Sequence, residues 1–175
     1  NAMTIYAAIV NQLASRPLSK EPHYKHVADW LKAIDRITDD RVDKRYIEKS
    51  HELRSFLLSS SKHEYLCHGD LHLENIIKHD DTWLAIDPKG IIGEVAFEAA
   101  AYDFICKEEM NDSMEVQEKI TIRVSQLAHT LGLNYERLLY WTFLRVILSA
   151  QWFIEDRGDP NETLFLAKQI FPLLI

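Results

Sequence analysis

Apolar residues recur at helical spacing from Ile5 to Leu13, and Arg16-Pro17 ends the pattern, which predicts a first helix. Val27, Trp30, Leu31 and Ile34 form a second i, i+3, i+4, i+7 stripe, and Tyr46, Ile47, Leu53, Phe56 and Leu57 carry a longer amphipathic segment to about Ser60. The first sixty residues therefore read as helical, with one acidic turn around Asp39-Asp40. At Glu64 the period changes. Tyr65-Leu66-Cys67, Ile76-Ile77 and Trp83-Leu84-Ala85-Ile86 are short apolar runs divided by polar turns such as His79-Asp80-Asp81, and they read as three short strands. Beyond Gly93 the helical period returns in Val95–Cys106, Val116–Leu131, Tyr135–Ile154 and Thr163–Leu174, with Asn134 and Asp159-Pro160 placed to start helices.

Composition agrees with this order. The chain has 175 residues, 47% of them hydrophobic, and only 5 Gly and 5 Pro, which suits one predominantly α-helical α+β unit with a small strand core. A net charge of −7 and scattered Lys and Arg disfavour nucleic acid and anionic membrane as partners, and favour a neutral or cationic small molecule. No apolar run has the length of a membrane span and no signal-peptide layout opens the chain, which predicts a cytoplasmic protein. Asn1-Ala2 before Met3 reads as a tag remnant. Cys67 and Cys106 match no metal or redox spacing and are expected to be reduced.

Chemistry concentrates between residues 67 and 90. A loop leaving the first strand presents Asp70 and, five residues on, Asn75; after a hairpin, the last strand delivers Asp87 at its end. Three converging oxygen donors suit phosphoryl transfer, in which one carboxylate orients the acceptor hydroxyl and Mg²⁺ bridges the phosphates. The spacing His-x-Asp-x-x-x-x-Asn followed by Ile-Asp resembles a kinase catalytic loop and its metal-binding aspartate.

His68-Gly69-Asp70-Leu71-His72 together with Trp83-Leu84-Ala85-Ile86-Asp87-Pro88-Lys89-Gly90 resembles the aminoglycoside/hydroxyurea antibiotic resistance kinase family, which includes the streptomycin phosphotransferases. The resemblance extends through Gly93-Glu94 to the late helix bearing Arg145 and Trp152. It implies the C-terminal lobe of a kinase-like fold and transfer of the ATP γ-phosphate to a hydroxyl of a small molecule, with an aminoglycoside as the expected acceptor. Asp70 would then be the catalytic carboxylate, Asn75 and Asp87 the Mg²⁺ ligands, and His68 and Glu98 supports of the loop. His72, Lys89 and Glu94 would fall on the phosphate or substrate side, with Lys89 either pairing with Glu94 or touching phosphate.

Such kinases clasp ATP with a mobile phosphate-covering loop and a strand lysine. No glycine-rich turn and no Val-Ala-Ile-Lys-like strand precedes Asp70, so the resemblance begins after the interlobe hinge, and either an excised lobe or a gene starting at Met3 fits. The chain alone is expected to be weakly active or inactive, and to expose apolar surface that favours self-association. The alternative is a catalytically silent small-molecule-binding or regulatory module. A zinc site from Cys67, His68, His72 and His63 is a weaker rival, because Gly69 and the strand before it argue against a shared helical face. Trp30, Trp83, Trp141 and Trp152 are expected in the core. Glu155 and Asp156 end a helix where negative charge opposes the dipole, so they are candidates to bind a cationic substrate, against an ordinary solvated helix end.

Overall fold

The computed structural model describes residues 1–15, 24–111 and 113–174; the expected stop at Arg16-Pro17 lies outside them. Helix α1 spans Ala2–Ala14, and the Asn1 side chain accepts the Met3 N–H, so the two residues read as a tag begin this helix. The two-residue strand β1 (Lys25–His26) interrupts the helical opening and leads into α2 (Val27–Leu31), a 3₁₀ turn (Lys32–Arg36) and α3 (Lys44–Ser59). Then come β2 (Tyr65–Cys67), a 3₁₀ turn (Leu73–Asn75), β3 (Ile76–His79), β4 (Thr82–Ala85) and β5 (Ile91–Gly93). Helices α4 (Val95–Ala99), α5 (Ser113–Leu131), α6 (Tyr135–Glu155) and α7 (Asn161–Ile170) complete the chain. The architecture is α+β and mostly helical.

Two small sheets replace the single strand core. In one, β5 lies between β1, parallel to it, and β2, antiparallel to it. The other is the β3–β4 hairpin, with Ile77 opposite Leu84. Strands β1 and β5 escaped the sequence pattern because runs of two and three residues show no alternation. The hairpin stands apart from the three-stranded sheet, so Trp83 is 41% exposed and not a core residue as expected. Trp141 is buried against Phe97, and Trp30 packs edge-on to Trp152 with ring centroids 5.3 Å apart.

Helix α6 is the axis of the core, burying Leu138, Trp141, Phe143, Leu144, Ile147 and Leu148. Its start is set by Asn134, whose side chain accepts the Arg137 N–H at 2.8 Å. The helix expected over Val95–Cys106 stops at Ala99. Tertiary bonds draw the rest away from helical geometry: Asp103 receives the Leu73 N–H, and Arg123 holds the Phe104 carbonyl. Among the described residues no helix is long and apolar enough to cross a membrane.

Candidate functional site

Gly69 is where the loop turns out of β2. Its φ of +88° suits glycine, and a Cβ there would meet Ile91 Cγ2 at 3.0 Å and Trp30 at 3.1 Å. The Gly69 N–H is directed at both carboxylate oxygens of buried Glu98, and its carbonyl accepts from Arg145 Nη2 at 3.0 Å. Burial pushes the Glu98 carboxyl above its ordinary range, while the Arg145 guanidinium and the Gly69 amide pull the other way. The guanidinium also lies 4.8 Å from the centroid of the Phe97 ring. Arg145 is thus an anchor of the loop that the sequence marked only as part of a late helix.

His68 is buried and its ring is fully engaged. Nε2 donates to the Ile86 carbonyl at 2.7 Å and Nδ1 accepts the Asp70 N–H at 3.3 Å, so the backbone selects the neutral tautomer with the proton on Nε2. This also answers the zinc alternative: neither nitrogen of His68 is left for a metal, and no three His, Cys, Asp or Glu residues among those described form a metal-holding group. Both cysteines are free thiols, and burial raises that of Cys67 well above its ordinary value.

After Asp70 the chain folds into the 3₁₀ turn that carries Asn75. Asn75 Nδ2 donates to the Asp70 carbonyl at 2.8 Å and lies 3.1 Å from His72 Nε2, which leaves its amide oxygen for an outside cation. Asp103 Oδ2 accepts the Leu73 N–H at 2.8 Å and caps this turn. Asp103 was not among the expected site residues, because the helical pattern of 95–106 hid it.

The Asn75 carbonyl accepts the Ile86 N–H at 2.9 Å, so Asn75 and Asp87 sit at the same end of the hairpin. Asp87 adopts φ +57°, a left-handed conformation that aspartate tolerates better than most residues and that marks a constrained turn. Lys89 Nζ lies 2.5 Å from Asp87 Oδ2 and 3.9 Å from Asp70 Oδ2, so one cation already links the two carboxylates. Its hydrogen bond lowers the Asp87 pKa from the ordinary aspartate value, and Asp87 raises that of Lys89. The oxygen donors of Asp87 and Asn75 are the hard ligands that Mg²⁺ takes, usually with few protein ligands and the remainder from water or phosphate. The residues present fit such an ion, and Lys89 already brings one positive charge to Asp87.

Asp70 and His72 border a cavity of about 410 Å³ whose far walls include Tyr102, Asp103, Ser149 and Trp152. Glu94, Glu155 and Asp156 are not part of it. Glu94 receives Arg137 Nε on both oxygens at 2.9 Å and the Trp141 indole N–H, so it ties α6 to the start of α4 instead of meeting Lys89 or a phosphate. Glu155 is neutralised by Arg36 at 2.8 Å and accepts from Gln151, and Asp156 is an exposed helix cap. The helix-end penalty expected at Glu155 is relieved by this pairing, with no cationic ligand needed.

A family model described as aminoglycoside/hydroxyurea antibiotic resistance kinase matches residues 1–157. The chain belongs to that family. Streptomycin 3''-kinase of Klebsiella pneumoniae is 36% identical over 146 residues, covering 80% of this chain and 53% of that protein. Streptomycin 6-kinase of Streptomyces griseus is 25% identical over 162 residues, covering 89% of this chain and 52% of that protein. The chain spans about half the length of these curated relatives. Among solved structures, choline kinase LicA from Streptococcus pneumoniae superposes with a TM-score of 0.65 at 14% identity, over 98% of this chain and 63% of that one; LicA in complex with AMP gives 0.67. At that identity the likeness concerns the fold, which is kinase-like.

Proposed function

We propose that this chain is the catalytic and acceptor-binding lobe of a phosphotransferase that moves the γ-phosphate of ATP to a hydroxyl of a small amine-bearing molecule. The streptomycin kinases among its relatives favour an aminoglycoside as acceptor. One observation carries the reading: Asp70 lies at the edge of the 410 Å³ cavity and shares a single cation with Asp87.

Asp70 orients the acceptor hydroxyl and takes its proton as the phosphoryl group arrives, and it is held by residues that never touch substrate. Glu98 and Arg145 grip Gly69 by its two backbone groups, and His68 sets the Asp70 amide. Asn75 and Asp87 hold the metal; bound Mg²⁺ supplies charge neutralisation for the phosphates. His72 and Asp103 face the acceptor, whose amine fits the carboxylates of Asp103 and Asp70.

The sequence holds no glycine-rich phosphate cover before Asp70, and we expect the 175-residue polypeptide alone to turn ATP over weakly or not at all. Ile77, Trp83, Leu84 and Ile86 are each 39–45% exposed on and beside the hairpin, and self-association through this face is expected in light scattering.

Calorimetry with streptomycin and with Mg-ATP tests the assignment. Streptomycin binding that Ser149→Trp blocks, with Mg-ATP binding that Asp87→Ala abolishes, is the expected result. Acceptor binding with no nucleotide binding would instead identify a silent binding module. Acceptor binding indifferent to a filled cavity ends the reading of that cavity, and saturable phosphate transfer by the chain alone overturns the expectation of weak activity.

A further inference from the structure

Lys89 occupies a position that surface chemistry alone does not explain. Its backbone N–H donates to the His68 carbonyl at 2.8 Å, and Gly90 N–H reaches the same oxygen at 3.2 Å, so the turn after Asp87 is stapled to the start of the catalytic loop. The staple fixes where the Lys89 side chain begins. From there its ammonium meets Asp87 at 2.5 Å and Asp70 at 3.9 Å, two carboxylates delivered by different strands, while Glu94 is occupied by Arg137. The side chain is 42% exposed, so its ammonium borders solvent as well as the two carboxylates.

We propose that Lys89 is a built-in placeholder cation, which bridges Asp70 and Asp87 before metal arrives and must be displaced by the divalent ion. This rests on the reading of Asp87 as a metal ligand. Two carboxylates that reach one ammonium, at 2.5 Å and 3.9 Å, would repel one another without it, and the shared cation holds both on the same side of the loop, the arrangement that a metal at Asp87 needs. The same contact makes metal binding competitive: the incoming ion must release the ammonium from Asp87, so the free chain binds divalent cations more weakly than its ligands alone would allow. Asp-Pro-Lys places the displaced charge two residues from the metal ligand, where it stays inside the site's electrostatic field.

Titrating the intact chain with Mn²⁺, read by the paramagnetic resonance signal of free Mn²⁺, tests this without any turnover. Lys89→Met is expected to tighten Mn²⁺ binding by roughly fivefold, the scale of releasing an exposed ion pair. Lys78→Met, on the hairpin, removes the same charge without the bridge and is expected to shift binding by less than about twofold. Asp87→Ala abolishes binding in either background. If Asp87→Ala abolishes binding but Lys89→Met leaves it unchanged or weakens it, the placeholder is wrong and the metal site stands. If Mn²⁺ binding is absent, or ignores Asp87→Ala, the metal site itself is wrong and the placeholder falls with it. Thermal unfolding of each variant confirms that the exposed substitutions leave the fold intact.

Discussion

Glu98 holds Gly69 across 29 residues of chain, both carboxylate oxygens lying 3.3 Å from the Gly69 amide nitrogen. A buried carboxylate is costly unless paired, and here Arg145, which also binds the Gly69 carbonyl, supplies the countercharge. The residue preceding Asp70 is therefore gripped at both its N–H and its C=O by side chains from α4 and α6. Glu98→Ala, which strands the guanidinium and the amide, is expected to cost about 3 kcal/mol in urea unfolding, and Glu98→Gln about 1 kcal/mol. Because burial raises the Glu98 pKa, the native state binds more protons than the unfolded chain above the ordinary value of 4.5. Stability from this group therefore falls as pH rises from that value through the raised one. The slope is absent in Glu98→Gln.

Gly69→Ala tests the backbone side of the same grip. The φ of +88° strains any residue with a Cβ, and the contacts with Ile91 at 3.0 Å and Trp30 at 3.1 Å leave no room without movement. A loss of about 2–3 kcal/mol in denaturant unfolding is expected. A change below half a kilocalorie would show that the loop relaxes freely and does not fix Asp70.

The long helices and the order of the chemical residues were legible in the sequence, for different reasons. α5 and α6 repeat their apolar stripe over many turns, so the helical period dominates the pattern; Asp70, Asn75 and Asp87 stand out because polar residues crowd between short apolar runs. What stayed hidden depends on contacts between distant segments. β1 is two residues long and exists by pairing with β5. Asp103 left the helix expected over 95–106 because its carboxylate caps the Leu73 turn, and Glu94 looked functional by its place in the motif until Arg137, 43 residues on, claimed it.

Acid sensitivity is expected to come from Glu109. Its carboxylate accepts from Arg123 at 2.7 Å on each oxygen and pairs with Lys119 at 3.1 Å, which hold its pKa well below the ordinary glutamate value. A depressed carboxyl contributes stability that is present above about pH 4.5 and lost as pH falls toward the folded value. Glu109→Gln is expected to flatten the fall in thermal midpoint between pH 5 and pH 3, roughly, and to lower the midpoint at pH 7.

Glu94 separates a structural role from a substrate role. Only 12% of its side chain is exposed, and removing it takes the acceptor from Arg137 Nε and from the Trp141 N–H, while the other Arg137 nitrogens keep Ser60 Oγ and the Leu57 carbonyl. Glu94→Ala is expected to lose about 2–3 kcal/mol of stability while streptomycin affinity, measured below the unfolding transition, changes less than about twofold. A stable variant with lost affinity would return Glu94 to the substrate side.

Asp103 has two duties that a pair of substitutions can pull apart. Its Oδ2 caps the turn bearing Asn75, and its charge faces the cavity beside Asp70. Asparagine keeps an oxygen for the Leu73 N–H but removes the charge; alanine removes both. Asp103→Asn is therefore expected to hold stability within about half a kilocalorie and to weaken binding of an amine-bearing acceptor by about tenfold, an effect that shrinks at high salt. Asp103→Ala should lose about 1 kcal/mol as well, because the turn amide loses its partner. Equal affinity of Asp103→Asn and the parent chain for streptomycin would mean that the acceptor's amines lie elsewhere in the cavity, with Asp103 serving the turn alone.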